Sequence, residues 1–327
     1  MPIKDHPLRY QLANELHARP FPVMSCPGQT AYIAVKQPEN AAKRDRSEDR
    51  AHLLQLLDRF GGQHPQPEAT HYFGKLGKFY LKWEQHTEFV TYTAFLDGQG
   101  ERAFDPVLWE VFPDDWLSAA PGVCITSAHI RLVEMPKTPA EIDSDLAEWF
   151  VPESLAASRV LDDTAIVAGD FRIESAGHMR FAVFARPETG ERRIGRIVQR
   201  ICEIETYKSI SMLGLPRARE ISRQLGPIEE ALGELTAAMR GETARPDETL
   251  NRLLDTAAEL ENIQANAAFR FAATRAYEAI VNQRVNVLRE ERFGGRQTLA
   301  EFMMRRFDPA MRTVKATERR IETLTAR

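Results

Sequence analysis

Cysteine is scarce: three residues in 327, at Cys26, Cys124 and Cys202, too few and too far apart for a disulfide scaffold or a zinc ribbon. Reduced thiols and a cytoplasmic address are the expectation. No stretch approaches the roughly 18 consecutive apolar residues needed to span a bilayer. The opening MPIKDHPLRY has no apolar core behind its positive charge, so it does not read as a secretory signal. Runs of Lys and Arg, and basic stripes interleaved with aromatics, are also missing, which argues against nucleic acid as a partner. There is no G-x-x-x-x-G-K-[ST], G-x-G-x-x-G, G-x-S-x-G, H-E-x-x-H or C-x-x-C. Each absence removes a chemistry whose mechanics need that spacing: P-loop NTPase, dinucleotide binding, serine hydrolysis, zincin hydrolysis and zinc ribbons. No cofactor is expected. His64, His71 and His86 are too loosely spaced, with no carboxylate motif beside them, to read as a metal site.

What the chain does have is a globular composition, 43% hydrophobic and 28% charged, with the length of about two domains. Its net charge of −4 conceals an asymmetry. Residues 191–327 hold 24 Lys plus Arg against 20 Asp plus Glu, while residues 1–190 hold 19 against 27. All eight histidines and all four tryptophans also precede Gly190. Gly and Pro break up the first part into short apolar runs, and the second part has long stretches without either. A boundary near Gly190 follows, with a head at 1–190 and an all-helical stalk at 191–327.

The head reads as α+β or α/β, a mixed, largely antiparallel sheet of five or six strands covered by helices. Ala31–Val35 is a strand, and Ser47–Phe60 is a helix stopped by Gly61-Gly62. From His71 to Leu96 the period changes to two, giving two antiparallel strands, with Phe79, Leu81 and Trp83 on one face and Lys82, Glu84 and His86 on the other. Thr138-Pro139-Ala140-Glu141 opens a helix as a capping box. Ala165–Ile173 and His178–Ala185 flank Ser175-Ala176-Gly177 as a hairpin.

In the tail, helices are expected over about 191–213, 216–240, 248–292 and 298–327. Ile194, Ile197, Ile201 and Ile204 share one stripe. Beyond Gly214-Leu215-Pro216, Ala218, Ile221, Leu225, Ile228, Leu232, Leu235 and Met239 step by alternating threes and fours, a heptad seam. Gly226-Pro227 inside that seam predicts a kink or a restart. A helix of some forty residues at 1.5 Å each would reach roughly 60 Å and must project or pair. Ile221, Leu225, Ile228, Leu232, Leu235 and Met239 are therefore the candidate oligomer seam. Thr298-Leu299-Ala300-Glu301 is a second capping box, and an Asp308-Pro309 restart follows. Residues 284–327 carry 11 basic against 6 acidic side chains, an excess found on segments that approach a membrane.

Among polar residues, Lys82, Glu84 and His86, continued by Glu88, are the candidate catalytic set, because alternate strand residues point the same way and a His between carboxylates is suited to proton transfer. The alternative is a solvated strand face. His17 and Arg19, next to prolines, are candidates for binding a carboxylate or phosphate, or else for anchoring the N-terminal segment.

The runs Asn14-Glu15-Leu16-His17-Ala18-Arg19-Pro20-Phe21-Pro22, Lys82-Trp83-Glu84-Gln85-His86-Thr87-Glu88-Phe89 and Ile201-Cys202-Glu203-Ile204-Glu205-Thr206-Tyr207 resemble a functionally uncharacterised bacterial domain-of-unknown-function family. The resemblance covers essentially the whole chain and implies C-terminal membrane segments beyond residue 327. It carries no activity or catalytic residue. The leading expectation is a non-enzymatic assembly or signal-coupling module at the cytoplasmic face of the inner membrane, homo-oligomeric through its long helices. A CorA-like ion channel or transporter domain is the first alternative, by element order alone. A soluble enzyme using the Lys82, Glu84, His86 and Glu88 face is the second.

Overall fold

Clean alternation of side chains lets one sheet carry a core on each face. The computed structural model describes residues 3–15, 21–239 and 246–326. In chain order its first half runs α1 (Arg9–Glu15), β1 (Gly28–Lys36), α2 (Arg46–Arg59), β2 (His71–Leu76), β3 (Phe79–Gln85), β4 (Phe89–Asp97), α3 (Asp114–Ser118), β5 (Val123–Glu134) and α4 (Pro139–Trp149). The second half runs β6 (Ala156–Val160), β7 (Ala165–Ile173), β8 (Met179–Ala185), α5 (Glu191–Met212), α6 (Gly214–Met239), α7 (Pro246–Asn286), β9 (Glu291–Arg292), α8 (Leu299–Arg306) and α9 (Asp308–Thr325).

Among the described residues the sheet has nine strands in the order β2-β3-β4-β1-β5-β8-β7-β6-β9. Neighbours are antiparallel except β5 and β8, which run parallel. The mixed, largely antiparallel α+β architecture is thus present with more strands than the five or six expected. β6, Ala-Ala-Ser-Arg-Val, opens on three small residues and shows no alternation of apolar and polar side chains, and β9 is two residues long. On one face Ala31, Ile33, Leu81, Trp83 and Tyr92 pack with Leu53, Leu56 and Leu57 of α2. Farther along that face a separate cluster joins Ile166, Ala182 and Phe184 to Ile142, Leu146 and Trp149 of α4. The other face carries the largest core: Tyr32, Ile130, Val167 and Val183 against Ile194, Ile197 and Ile201 of α5, Val281 and Val285 of α7, and Leu299 and Met303 of α8.

Local signals behave as their chemistry dictates. Both capping boxes form, at Thr138 and Glu141 and at Thr298 and Glu301. Gly61 takes the left-handed conformation (φ +63°), and the Gly62 N–H donates back to the Leu57 carbonyl at 2.7 Å, ending α2.

The tail departs from expectation in two places. α6 begins at Gly214 after a single break at Leu213, and the helix continues through Pro227 without a restart. α7 ends at Asn286 rather than near residue 292; Arg289 turns left-handed (φ 49°) and Glu291–Arg292 pairs with β6 instead, because the sheet edge offers backbone partners once the apolar period runs out at Leu288. The expected Asp308-Pro309 restart is present: the last helix is divided at Phe307 into α8 and α9. Ile221, Leu225 and Ile228 are buried against Leu260, Ile263, Ala267 and Phe271 of α7 and Val314, Ile321 and Leu324 of α9 in the same chain, and Leu235 is also buried. Leu232 is partly buried against this cluster, and Met239 is exposed. Polar contacts flank the apolar seam: Arg320 forks onto Glu229 (2.7 and 2.6 Å), and Lys315 meets Glu278 (2.7 Å). At 41 residues α7 is about 60 Å long. Its C-terminal part joins the sheet core and its middle packs on α6 and α9, whereas Leu250 and Leu254 near its start are exposed.

Candidate functional site

Three of the four candidate catalytic residues come together. Lys82 and Glu84 lie on one face of β3, and His86 follows in the turn to β4. They line a cavity of about 270 Å³ between the sheet and α5. The sheet side is completed by Tyr32, Thr91, Thr93 and Phe95, the helix side by Gln199, Cys202, Glu203, Thr206 and Tyr207. Alternation supplies the strand residues. The helix residues flank the Ile194, Ile197, Ile201 and Ile204 stripe that presses α5 onto the sheet.

Hydrogen bonds chain across the cavity. The Lys82 ammonium is 2.9 Å from Glu84 and donates to the Gln199 side-chain carbonyl at 3.1 Å. The Gln199 amide donates to Glu203 at 2.8 Å, and Glu203 is held in turn by Arg284 of α7. His86 stacks on Phe89, with ring centroids 4.3 Å apart. Tyr207 stacks on Tyr277 of α7 at 5.5 Å. Two further groups sit in the wall without being activated: burial pushes the Cys202 thiol and the Tyr32 phenol well up, so both stay protonated at neutral pH. Tyr32 and Thr206 hydrogen-bond to each other. Charged and neutral hydrogen-bonding groups thus face one small volume containing no activated thiolate, an arrangement suited to holding a small polar solute by its donors and acceptors.

Glu88, the fourth residue, is displaced from the cavity. It is buried, paired with Arg270 of α7 and 3.8 Å from Lys36. Its place in the turn is dictated by Arg44, a residue without any sequence signal. The buried Arg44 guanidinium binds Asp49 at 2.9 Å and donates to the carbonyls of Ala41 (3.0 Å), Thr87 (2.5 Å), His86 (2.8 Å) and Phe89 (3.1 Å). Those bonds fix the backbone from His86 to Phe89. The N-terminal segment closes one end: Pro22 lines the cavity and crosses α5 at Gly195, where a methyl group would overlap the Pro22 carbonyl. Glu205, fully buried on α5, ties the helix to β5 by accepting from Thr126 at 3.1 Å, with Lys208 2.6 Å away.

A more open cleft of about 1070 Å³ follows the outer edge of the sheet past His64, His71 and Phe73 and shares Lys82 and Glu84 with the cavity. His64 is bound to Asp58 at 2.6 Å and does not meet His86. Among the described residues no group of three His, Cys, Asp or Glu is arranged to hold a metal ion. His17 and Arg19 lie outside the described residues.

A family model described as a protein of unknown function, DUF3422, matches residues 4–327. The chain belongs to that family. Comparison with curated proteins and with solved structures gave no match. No described helix is long and apolar enough to cross a membrane.

Proposed function

We propose that this DUF3422 chain is a non-enzymatic coupling module: a small polar solute occupies the cavity over Lys82, Glu84 and His86, and its presence is passed to the helices α6, α7 and α9. The observation that carries this reading is the double attachment of the cavity wall. α5 runs into α6 across the single residue Leu213, and its cavity-lining Glu203 and Tyr207 are gripped by Arg284 and Tyr277 of α7. A solute that shifts α5 moves both long helices, because packed elements respond as units and not by continuous deformation. The protonated Cys202 and Tyr32 favour binding over covalent chemistry. The enzyme reading retains one argument, the convergence of Lys82, Glu84 and His86 in a concave site.

In the full-length protein this module would work at the inner face of a membrane, anchored by a segment outside this chain, with self-association as its output. The exposed Met239, Leu250 and Leu254 at the far end of the long helices are the surface we assign to a second copy. The seam residues Ile221 to Leu235 act inside each copy. Replacing both Leu250 and Leu254 with Asp is expected to reduce the mass measured by sedimentation to that of a monomer with the melting temperature unchanged; equal masses for variant and wild type would remove the assigned surface.

Coupling is tested with a panel of free amino acids and small dicarboxylates, by thermal melting and then by hydrogen exchange. A binder present at 100 times its Kd adds about 2.7 kcal/mol and raises the melting point by several degrees. Lys82→Met should abolish that rise, and the bound form should show altered exchange across residues 218–235 of α6. A panel without any binder defeats the ligand class. Binding that leaves α6 exchange untouched defeats the coupling.

A further inference from the structure

The face of the sheet opposite the cavity is not continuously apolar. Its two clusters, one under α2 and the other under α4, are separated by a polar seam along β5 and β8. The seam arises from a repeated tripeptide pattern: His129-Ile130-Arg131 on β5 and His178-Met179-Arg180 at the start of β8. β5 and β8 are the parallel pair, and His129 stands directly opposite Arg180. Neighbouring strands lie about 4.8 Å apart and alternate residues advance about 6.6 Å along one face, so Arg131 and Arg180 emerge close enough to converge on one small group.

Both guanidinium groups are held by aromatic faces and have little else to bind. Arg131, 8% exposed, lies over Trp149 at 5.1 Å, and its one hydrogen bond among the described residues is to the Arg102 carbonyl at 3.2 Å. Arg180 lies between Phe104 (5.5 Å) and Phe150 (6.0 Å). The Nε of each is buried without a hydrogen-bond partner among the described residues. Neither arginine has an ion-pair partner within 4 Å among the described residues. Asp145 and Glu148 of α4 act on Arg131 only through their more distant charge. The buried Asp105 and Asp170 turn to backbone donors: Asp105 accepts from the Val107 N–H at 3.1 Å, and Asp170 accepts from those of Val151 (3.1 Å) and Arg172 (3.2 Å). The histidines bring no compensating negative charge. His129 accepts from the Trp109 indole N–H and faces Gln29, and His178 stacks flat on Trp109 at 3.4 Å.

A buried arginine kept for structure normally finishes its fork on a carboxylate or on carbonyls, as Arg44 does in this same chain. Stacking holds a guanidinium plane while leaving its N–H edge unused, and that edge is the part that grips an oxyanion in bidentate fashion. We propose that the seam between Arg131 and Arg180 binds a small oxyanion group, a phosphate or a carboxylate, entering beside His178 and Trp109. His178, Trp109 and Arg180 all remain partly exposed, which gives the group its way in. The site is separate from the cavity under α5 and on the other side of the sheet.

Wild-type protein is titrated with inorganic phosphate and, separately, with citrate at constant ionic strength against sodium chloride. Melting temperature and tryptophan fluorescence are both followed, with Trp109→Phe identifying the reporting ring. Saturable binding of either anion, accompanied by a Trp109 signal, is expected. Phosphate alone identifies phosphate as the ligand group, citrate alone a carboxylate. Arg180→Met should weaken binding at least tenfold, and Arg180→Lys, which keeps the charge but loses the fork, at least threefold. Arg131→Met is read only if its circular dichroism matches wild type; Arg180, the less buried of the two, keeps the test decisive otherwise. An equal response to chloride, or binding that survives Arg180→Met, overturns the proposal.

Discussion

Lowering the pH from 7 to 4.5 is expected to remove between about 2 and 3 kcal/mol of stability through His129 alone. The side chain is 1% exposed, accepts from the Trp109 indole at 3.4 Å and contacts Gln29 at 3.3 Å. Burial first, then the positive charges of His178 and Arg131, push its pKa down to about 3. In the unfolded chain an imidazole titrates near 6.5. Between those values the unfolded state binds a proton that the folded state refuses, so stability is complete above pH 6.5 and declines as the pH falls towards 3. Urea denaturation of wild type and His129→Gln at both pH values isolates the effect, since glutamine can still accept from Trp109 and donate to Gln29. The variant should lose about 2–3 kcal/mol less than wild type over the interval. Identical losses would mean that His129 titrates normally in the fold. His178, which burial pushes down to about 4, declines in the same direction in both proteins and cancels in the difference.

What was legible in the sequence was whatever local period encodes. The alternation that placed Lys82 and Glu84 opposite Leu81 and Trp83 survives in the structure, as do both capping boxes and the stripe on α5. The other half of the cavity was not legible, because joining β3 to a helix more than a hundred residues later depends on tertiary packing. A trace was nevertheless present: Gln199, Glu203 and Tyr207 recur every four residues beside the apolar stripe. Glu88 was misplaced for a local reason. Beyond His86 the chain turns, so the alternation that made it a neighbour of Glu84 no longer applied. Arg44 had no signal, since a loop arginine that ends on carbonyl oxygens has no characteristic spacing. The His-x-Arg triplets at 129–131 and 178–180 were present in the sequence, but pairing them required knowing that β5 and β8 lie side by side.

Substituting Arg270 with methionine is expected to cost about 3–5 kcal/mol, the effect of leaving a buried carboxylate without its principal counter-charge. Glu88 is 2% exposed, and with Arg270 gone its remaining cation is Lys36 at 3.8 Å. That lysine is itself disfavoured as a cation by burial, with Glu88 opposing the effect. Neutralising both partners removes the stranded charge, so Glu88→Gln combined with Arg270→Met should recover at least half of the loss measured in urea. A single substitution costing under 1 kcal/mol, with no recovery in the double variant, would show that the pair does not hold α7 to the sheet. The location makes the experiment functional as well as structural. Glu88 lies two residues beyond His86 in the turn that Arg44 shapes, and Arg270 lies two turns before Tyr277, which packs on Tyr207 of the cavity wall. If α7 receives what the cavity reports, loosening this ion pair should raise hydrogen exchange along residues 260–286 before it raises exchange in β5 or β8, because the sheet core has no share in the contact that was cut.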